Sequence, residues 1–271
     1  MKVVVFGAAG WVGRAILHNL TGRHEVRAVD RSPDAWAKGD ELEGQWLGGE
    51  IVHGDIADFS AVDDALEGVD GVIHAAVYSG STGDNDNGPY LVNLKGLWNV
   101  LEAAHRRGIE RIVHIGSCQV VHPEGIFFGP DVRRPDCSLY AVTKRLQEEM
   151  CRQFHDAFDM KTIVLRPDYI VDSRAGIGRN REALQGSYRN GWVCRHDLAE
   201  ACRLAVESET VDFDIFHTVG TPEADSTCNV ARSRELLGLE YRGDLEQYRL
   251  GVLSQNSCES PHVSRPIPRQ H

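Results

Sequence analysis

The chain has 271 residues, 42% of them apolar and 25% charged, close to the average for soluble globular proteins. Acidic residues outnumber basic ones by 40 to 29, and the net charge of −11 argues against a nonspecific nucleic-acid or anionic-membrane surface, because both need clustered positive charge. One local basic pocket for an anionic substrate stays compatible with that balance. No apolar stretch approaches the ~20 residues that span a bilayer. The four-residue apolar run before Gly7 is too short for a signal peptide. Seven cysteines without C-x-x-C spacing read as free thiols, so a cytoplasmic protein with no structural metal is expected.

Residues 3–6 are β-branched and aromatic and read as a buried strand ending at Gly7. Trp11, Val12, Ala15, Ile16 and Leu20 recur at helical spacing. Residues 25–29 read as a second strand, 31–50 as a polar stretch, and 51–52 as the core of a third strand. A short helix is expected over 59–66 and a fourth strand over 71–74. Residues 90–107 read as one long helix, with Gly108 placed to end it. A strand over 111–115, a helix over 138–158 and a strand over 162–165 follow. This alternation predicts an α/β fold: right-handed βαβ units forming a doubly wound parallel sheet of Rossmann type. Residues 1–167 read as the dinucleotide-binding domain, also receiving parts of 192–220. Residues 168–253 read as a small substrate-binding subdomain, with helices over 197–206 and 226–237 and a strand over 213–219. Residues 254–271 read as a loosely ordered tail.

Gly7-Ala8-Ala9-Gly10-Trp11-Val12-Gly13 lies between the first strand and the first helix. Gly7 suits the tight turn, Gly10 the approach of a pyrophosphate, and Gly13 close packing of helix on strand. The helix N-terminus, with Trp11 and Val12, offers free N–H groups to phosphate oxygens. Asp30 ends the second strand, where a carboxylate accepts from ribose hydroxyls and repels a 2′-phosphate. NAD is therefore expected over NADP, although the adjacent Arg31 suits a phosphate and the pair also reads as ordinary surface charge. Asp55, followed by Ile56, sits where adenine would lie; a solvated loop carboxylate is the competing reading.

Tyr140 and Lys144 are four residues apart on a predicted helix and share one face. A free phenol titrates near ~10, and a neighbouring ammonium favours its ionised form, so the pair reads as a proton acceptor. Ser117 follows the fifth strand at the edge where ligands of such sheets collect. A lone Y-x-x-x-K is otherwise a solvated helix face. His74, His114 and His122 lie near predicted strand ends without metal-ligand spacing.

The glycine loop, Asp55, Asn93, Ser117, Tyr140-x-x-x-Lys144 and Leu165-Arg166-Pro167 together resemble the extended short-chain dehydrogenases/reductases of the NAD-dependent epimerase/dehydratase superfamily. The resemblance implies a Rossmann fold, bound NAD(P) and a Ser117-Tyr140-Lys144 catalytic set. It also implies that Asn93 structures the site, that Ala75 and Ala76 line the cofactor, and that Pro167 lies near the nicotinamide. A homodimer formed through the 90–107 and 138–158 helices is expected on the same ground. The runs 129–131, 134–136 and 139–144, with Trp192 and Arg195-His196-Asp197, are similar to the short uronate and sugar dehydrogenases. Those enzymes carry Asn-His after the catalytic serine; this chain has Cys118-Gln119.

The leading expectation is thus an NAD-dependent oxidation of a free sugar, sugar acid or polyol, with Tyr140 as base. Cys118 and Gln119 are candidate substrate contacts. Among Arg174, Arg179, Arg181 and Arg189, the expectation is that Arg174, Arg179 or Arg189 pairs with a substrate carboxylate or phosphate. A nucleotide-sugar epimerase or dehydratase with recycled NAD is the alternative, and a non-catalytic dinucleotide binder a further one.

Overall fold

A computed structural model describes residues 1–78, 87–120 and 137–249. The strand β1 (Lys2–Phe6) lies inside a seven-stranded sheet, between two other strands, so both of its faces must be apolar. Val3 and Val5 point to one face, and Val4 and Phe6 to the other. The remaining strands are β2 (Glu25–Asp30), β3 (Glu50–His53), β4 (Gly71–His74), β5 (Arg111–Ile115), β6 (Lys161–Pro167) and β10 (Phe213–Thr218). Their order is β10-β6-β5-β4-β1-β2-β3, and every pair is parallel. The chain reverses direction across the sheet between β1 and β4. That switch point leaves a crevice at the C-terminal strand ends.

Helices α1 (Trp11–Leu20) and α6 (Arg195–Glu207) cover one face with Ile16, Leu17, Leu198, Cys202 and Ala205. Helices α3 (Phe59–Ala65), α4 (Gly96–Arg106) and α5 (Leu139–Phe158) cover the other with Val62, Leu97, Leu101, Cys151 and Phe154. A small second sheet, β8-β7-β9, is built from β7 (Tyr169–Asp172), β8 (Ile177–Gly178) and β9 (Trp192–Cys194). Its strands lie within residues 168–194, which are rich in Arg, Gly, Asn and Tyr and show no clean period in the sequence.

Three elements differ from the sequence reading. The polar stretch contains a helix, α2 (Asp34–Glu43). Only Trp36 of this helix is buried, so its apolar pattern is faint. Contacts from α1 hold it: Arg14 Nη1 donates to Asp40 Oδ1 at 2.9 Å in an ion pair, and His18 Nε2 lies within hydrogen-bond distance of Glu43 Oε2, 3.1 Å. The long helix over 90–107 begins as a π-helix, Pro89–Lys95, before α4. There the Gln147 amide donates to the Asn93 carbonyl at 2.7 Å, and a side chain from α5 enters the backbone ladder. The last helix is two: α7 (Ala224–Thr227) and α8 (Ala231–Leu237). Between them Cys228 is extended and the Asn229 N–H donates to His217 Nδ1 at 3.1 Å.

Gly108 follows α4 with φ of +70°. Among the described residues, no helix is long and apolar enough to cross a membrane, and no three His, Cys, Asp or Glu side chains converge as metal ligands. His122, the runs 129–131 and 134–136, and the tail 254–271 lie outside the described residues.

Candidate active site

The glycine turn begins where β1 ends. Gly7 has φ of +79°, and a Cβ there would lie 2.6 Å from the Ala76 amide nitrogen. A Cβ on Gly13 would lie 2.1 Å from the Gly7 carbonyl oxygen, so helix and turn touch only because both residues lack one. Ala75 N donates to Phe6 O at 2.9 Å and runs beside the turn with Ala76. Gly10 is exposed, and no side chain caps the first turn of α1. The amides at Trp11 and Val12 therefore start α1 free for an anion. Asp30 Oδ2 accepts from Ala9 N at 3.0 Å and Oδ1 from Arg31 N at 2.8 Å. Each oxygen keeps a lone pair for a ribose hydroxyl. Arg31 is exposed beside it. Asp55 Oδ1 accepts from Ala57 N at 2.9 Å in a turn after β3, while Ile56 is buried against Gly96.

The second half of the crevice lies across β5 and β6. Ser117 follows β5, and Tyr140 stands in the first turn of α5, whose N-cap Ser138 accepts from Ala141 N at 3.3 Å. The Ser117 hydroxyl lies near enough to Tyr140 to favour its ionised form. Lys144 is 2% exposed, and its Nζ donates to the Ile115 carbonyl at 2.8 Å. Burial pulls its pKa down to about 8. Asn93 lies against the same group: its Oδ1 accepts from Tyr78 N at 2.8 Å and its Nδ2 donates to Thr143 Oγ1 at 3.1 Å. Pro167 ends β6, paired with Thr218.

One electrostatic expectation is corrected. The sequence reading has Lys144 pulling Tyr140 below the ordinary phenol range. Instead burial pushes Tyr140 up, opposed by the Ser117 hydroxyl and the Arg179 charge. The ammonium is turned toward Ile115 and lies 5.9 Å from the centre of the Tyr140 ring.

The loop arginines separate. Arg179 is the one whose charge reaches Tyr140. Arg189 lies over the Tyr169 ring at 4.8 Å, and Arg181 donates to Lys38 O and Glu41 Oε2 of α2. Arg174 lines a different cavity of about 320 Å³, with Ser173, Cys194, Asp197, Gly243 and Tyr248, none of which belongs to the Tyr140 cluster. Cys118 is fully buried, donates its S–H to Arg166 O at 3.1 Å, and is held well above the ordinary thiol range by burial. That thiol is a packing group, not a nucleophile. Gln119 is half-buried, and its N–H donates to Ser117 Oγ at 3.1 Å. His196 Nε2 lies 3.4 Å from Asp172 Oδ2.

Sequence reasoning missed the groups beneath the site. Arg166 and Glu148 form a buried two-bond ion pair, Nε–Oε1 2.8 Å and Nη2–Oε2 2.5 Å. His74 and His114 face each other across β4 and β5, Nδ1 to Nδ1 at 3.1 Å, and both are fully buried. Their shared register on neighbouring strands is the signal; it needs the strand pairing. Burial, aided by the Lys144 charge, lowers His74 to about 3 and His114 well below the usual imidazole range. Both are thus neutral in the folded protein, while the unfolded chain binds their protons below pH ~6.5. Stability is present above that pH and is lost as pH falls toward the folded values. The expected loss reaches about 1.4 kcal/mol per pH unit for each histidine. Melting temperature followed from pH 7.5 to 5 checks this; a flat curve contradicts it.

A parallel doubly wound sheet with a glycine turn at its switch point defines the class: a dinucleotide-binding fold with a Ser, Tyr and Lys at the facing strand ends. Residues 3–180 match the NAD dependent epimerase/dehydratase family, and the chain belongs to it. The family's cofactor is NAD, and the uncapped α1 turn, the Cβ-free cradle and Asp30 fit that group. The chain is 32% identical over 181 residues to the 2-alkyl-3-oxoalkanoate reductase of Stenotrophomonas maltophilia, covering 63% of this chain and 51% of that one. It is 34% identical over 172 residues to the uronate dehydrogenase of Agrobacterium fabrum, covering 61% and 60%. The chain thus spans about half the length of the curated relatives it matches. The solved structure of glucuronic acid dehydrogenase from Chromohalobacter salexigens superposes with a TM-score of 0.69 at 27% identity, covering 91% of this chain and 88% of that one.

Proposed function

We propose that the chain is an NAD-dependent dehydrogenase that oxidises a hydroxyl of a free sugar acid or a related polyol. The observation that carries this reading is the nearness of the buried Ser117 hydroxyl to half-buried Tyr140, with Lys144 behind it and the charge of Arg179 reaching it. Gly7, Gly10, Trp11, Val12, Gly13 and Asp30 hold the dinucleotide, and Asp55 and Ile56 border the adenine. Ala75, Ala76, Asn93 and Pro167 border the nicotinamide half, and Lys144 holds its ribose. When bound, NAD supplies the acceptor for the hydride that leaves the substrate carbon. The phenolate of Tyr140 takes the proton of the substrate hydroxyl, so the C–H electron pair and the O–H proton leave the same carbonyl-forming unit. Ser117 holds the reacting oxygen. Arg179 pairs with a substrate carboxylate as a planar fork. Likeness to the uronate dehydrogenase supports this class. Residues 168–253 act as the substrate-binding part and a homodimer is the working assembly, supported by exposed Leu91, Trp98, Leu146 and Phe158 on the helical face. The six free thiols among the described residues suit the cytoplasm.

Absorbance at 340 nm tests this, with NAD or NADP and a panel of uronates, neutral sugars and sugar phosphates. NADH should grow with a uronate, at least about tenfold faster with NAD than with NADP, because Asp30 repels a 2′-phosphate. Silence across the panel, with NAD retained by the purified protein, sinks the dehydrogenase reading in favour of an epimerase-like enzyme that recycles its cofactor.

A further inference from the structure

Trp11 is the first helical residue after the glycine turn, so its placement sets the direction of the open amides of α1. One side chain holds it from two sides. The Arg195 guanidinium lies 4.2 Å from the centre of the Trp11 indole, and its Nη1 donates to the Trp11 carbonyl at 3.3 Å. Arg195 is itself 4% exposed and fixed by two carboxylates: Nε to Asp172 Oδ2 at 2.7 Å, and Nη1 to Glu43 Oε1 at 2.6 Å. Asp172 in turn accepts from the Arg174 and Ala175 amides at 2.9 and 3.0 Å, the start of the segment between β7 and β9.

We propose that Arg195 is a positioning residue for dinucleotide binding, acting through Trp11 and tying the phosphate turn to the start of the substrate segment. The inference rests on the proposed NAD-dependent function. A guanidinium suits the task because it is planar: its edge donates in-plane to Asp172 and Glu43 while its face lies on the indole. An ammonium has no such face, so lysine retains the charge and loses the arrangement. The positive charge is matched by its carboxylates; the contribution is therefore geometry at the turn and not attraction of phosphate.

The test is NADH binding followed by its fluorescence, in the full chain and in Arg195→Met, Arg195→Lys, Trp11→Leu and the Arg195→Met/Trp11→Leu double variant. Both Arg195 variants should weaken NADH binding about tenfold and raise KM for NAD. The kcat at saturating NAD should stay within about threefold. In the double variant the Trp11 change should add less than twofold, because its support is already gone. Arg195→Lys and Trp11→Leu keep the test open if Arg195→Met fails to fold. A purely structural role lowers melting temperature and leaves the NADH dissociation constant and KM unchanged; that result overturns the proposal. Additive effects of the two substitutions overturn it as well, since they remove Trp11 from the route. Wild-type protein that does not bind NADH overturns the functional reading and this inference together. Wild-type binding with unchanged binding in the Arg195 variants overturns the inference alone.

Discussion

Tyr140→Phe is expected to lower the rate of substrate oxidation by about 10³-fold, within the range of general base catalysis, while NADH binding stays within about twofold. The substitution removes one oxygen and keeps the ring that fills the first turn of α5. Ser117 remains, but an alcohol is a far weaker acid–base group than a phenol at accessible pH. Cys118 cannot substitute, because its thiol is buried and donates to Arg166 O. The upward push of burial on Tyr140 adds a second signature. The base form must lose its proton, so oxidation should accelerate as pH rises from 7 through 10 and should not level off near neutrality. Initial rates at 340 nm across that range, for wild type and variant, decide it. Retained turnover in Tyr140→Phe would show that another group takes the proton.

Removing Glu148 should have the largest effect on stability. Glu148 and Arg166 are 8% and 2% exposed at their side chains, and both bonds between them are made. Glu148→Ala leaves a guanidinium without its carboxylate in the interior, a change that costs about 3–5 kcal/mol. For a chain of this size that corresponds to a melting temperature lower by ~10 °C. Replacing both partners by apolar groups, Glu148→Leu with Arg166→Met, should recover part of the loss, because no charge is then stranded. A single variant that melts within about 2 °C of wild type contradicts this. Glu148 also opposes the effect of burial on Lys144. Its removal should therefore take the Lys144 pKa below about 8, linking the pair beneath the site to the charge within it.

The elements legible in the sequence are those whose pattern is local. The apolar run of β1, the glycines after it and the spacing of Ile16 and Leu20 belong to one short stretch, and the α5 pair Tyr140 and Lys144 is fixed by helical period alone. Helix α2 was illegible because its support comes from Arg14, His18 and Arg195 on other elements. The π-helical turn at Asn93 depends on Gln147, more than fifty positions away. The His74–His114 pair needs strand register, which no periodicity reports. The direction of the Tyr140 pKa differs for the same reason: proximity in sequence puts Lys144 beside the phenol, but the backbone carbonyl that accepts its hydrogen bond lies on β5. Of the loop arginines, spacing could not separate Arg179, whose charge reaches Tyr140, from Arg174, which lines a separate cavity.

The parallel pairing of β7 with β9 has a consequence for how such a chain can diversify. Tyr169, Ile170 and Val171 are held against Trp192, Val193 and Cys194. Past β9 the chain returns at once to the main sheet through α6 and β10. The stretch from 173 to 191 is therefore an insert with both attachment points pinned, and it carries Arg174, Arg179, Arg181 and Arg189 together. Loop closure grows only slowly more costly with length, about 0.6 kcal/mol per doubling. Such an insert can be lengthened, shortened or recharged by mutation while the strands on either side keep their register. A cut at residue 180 behaves differently, because it would strip α6 from one face of the sheet and leave Ile73, Val113 and Ile163 without its cover. New substrate preferences are thus open to change by exchange within the insert, but not by replacing everything that follows it.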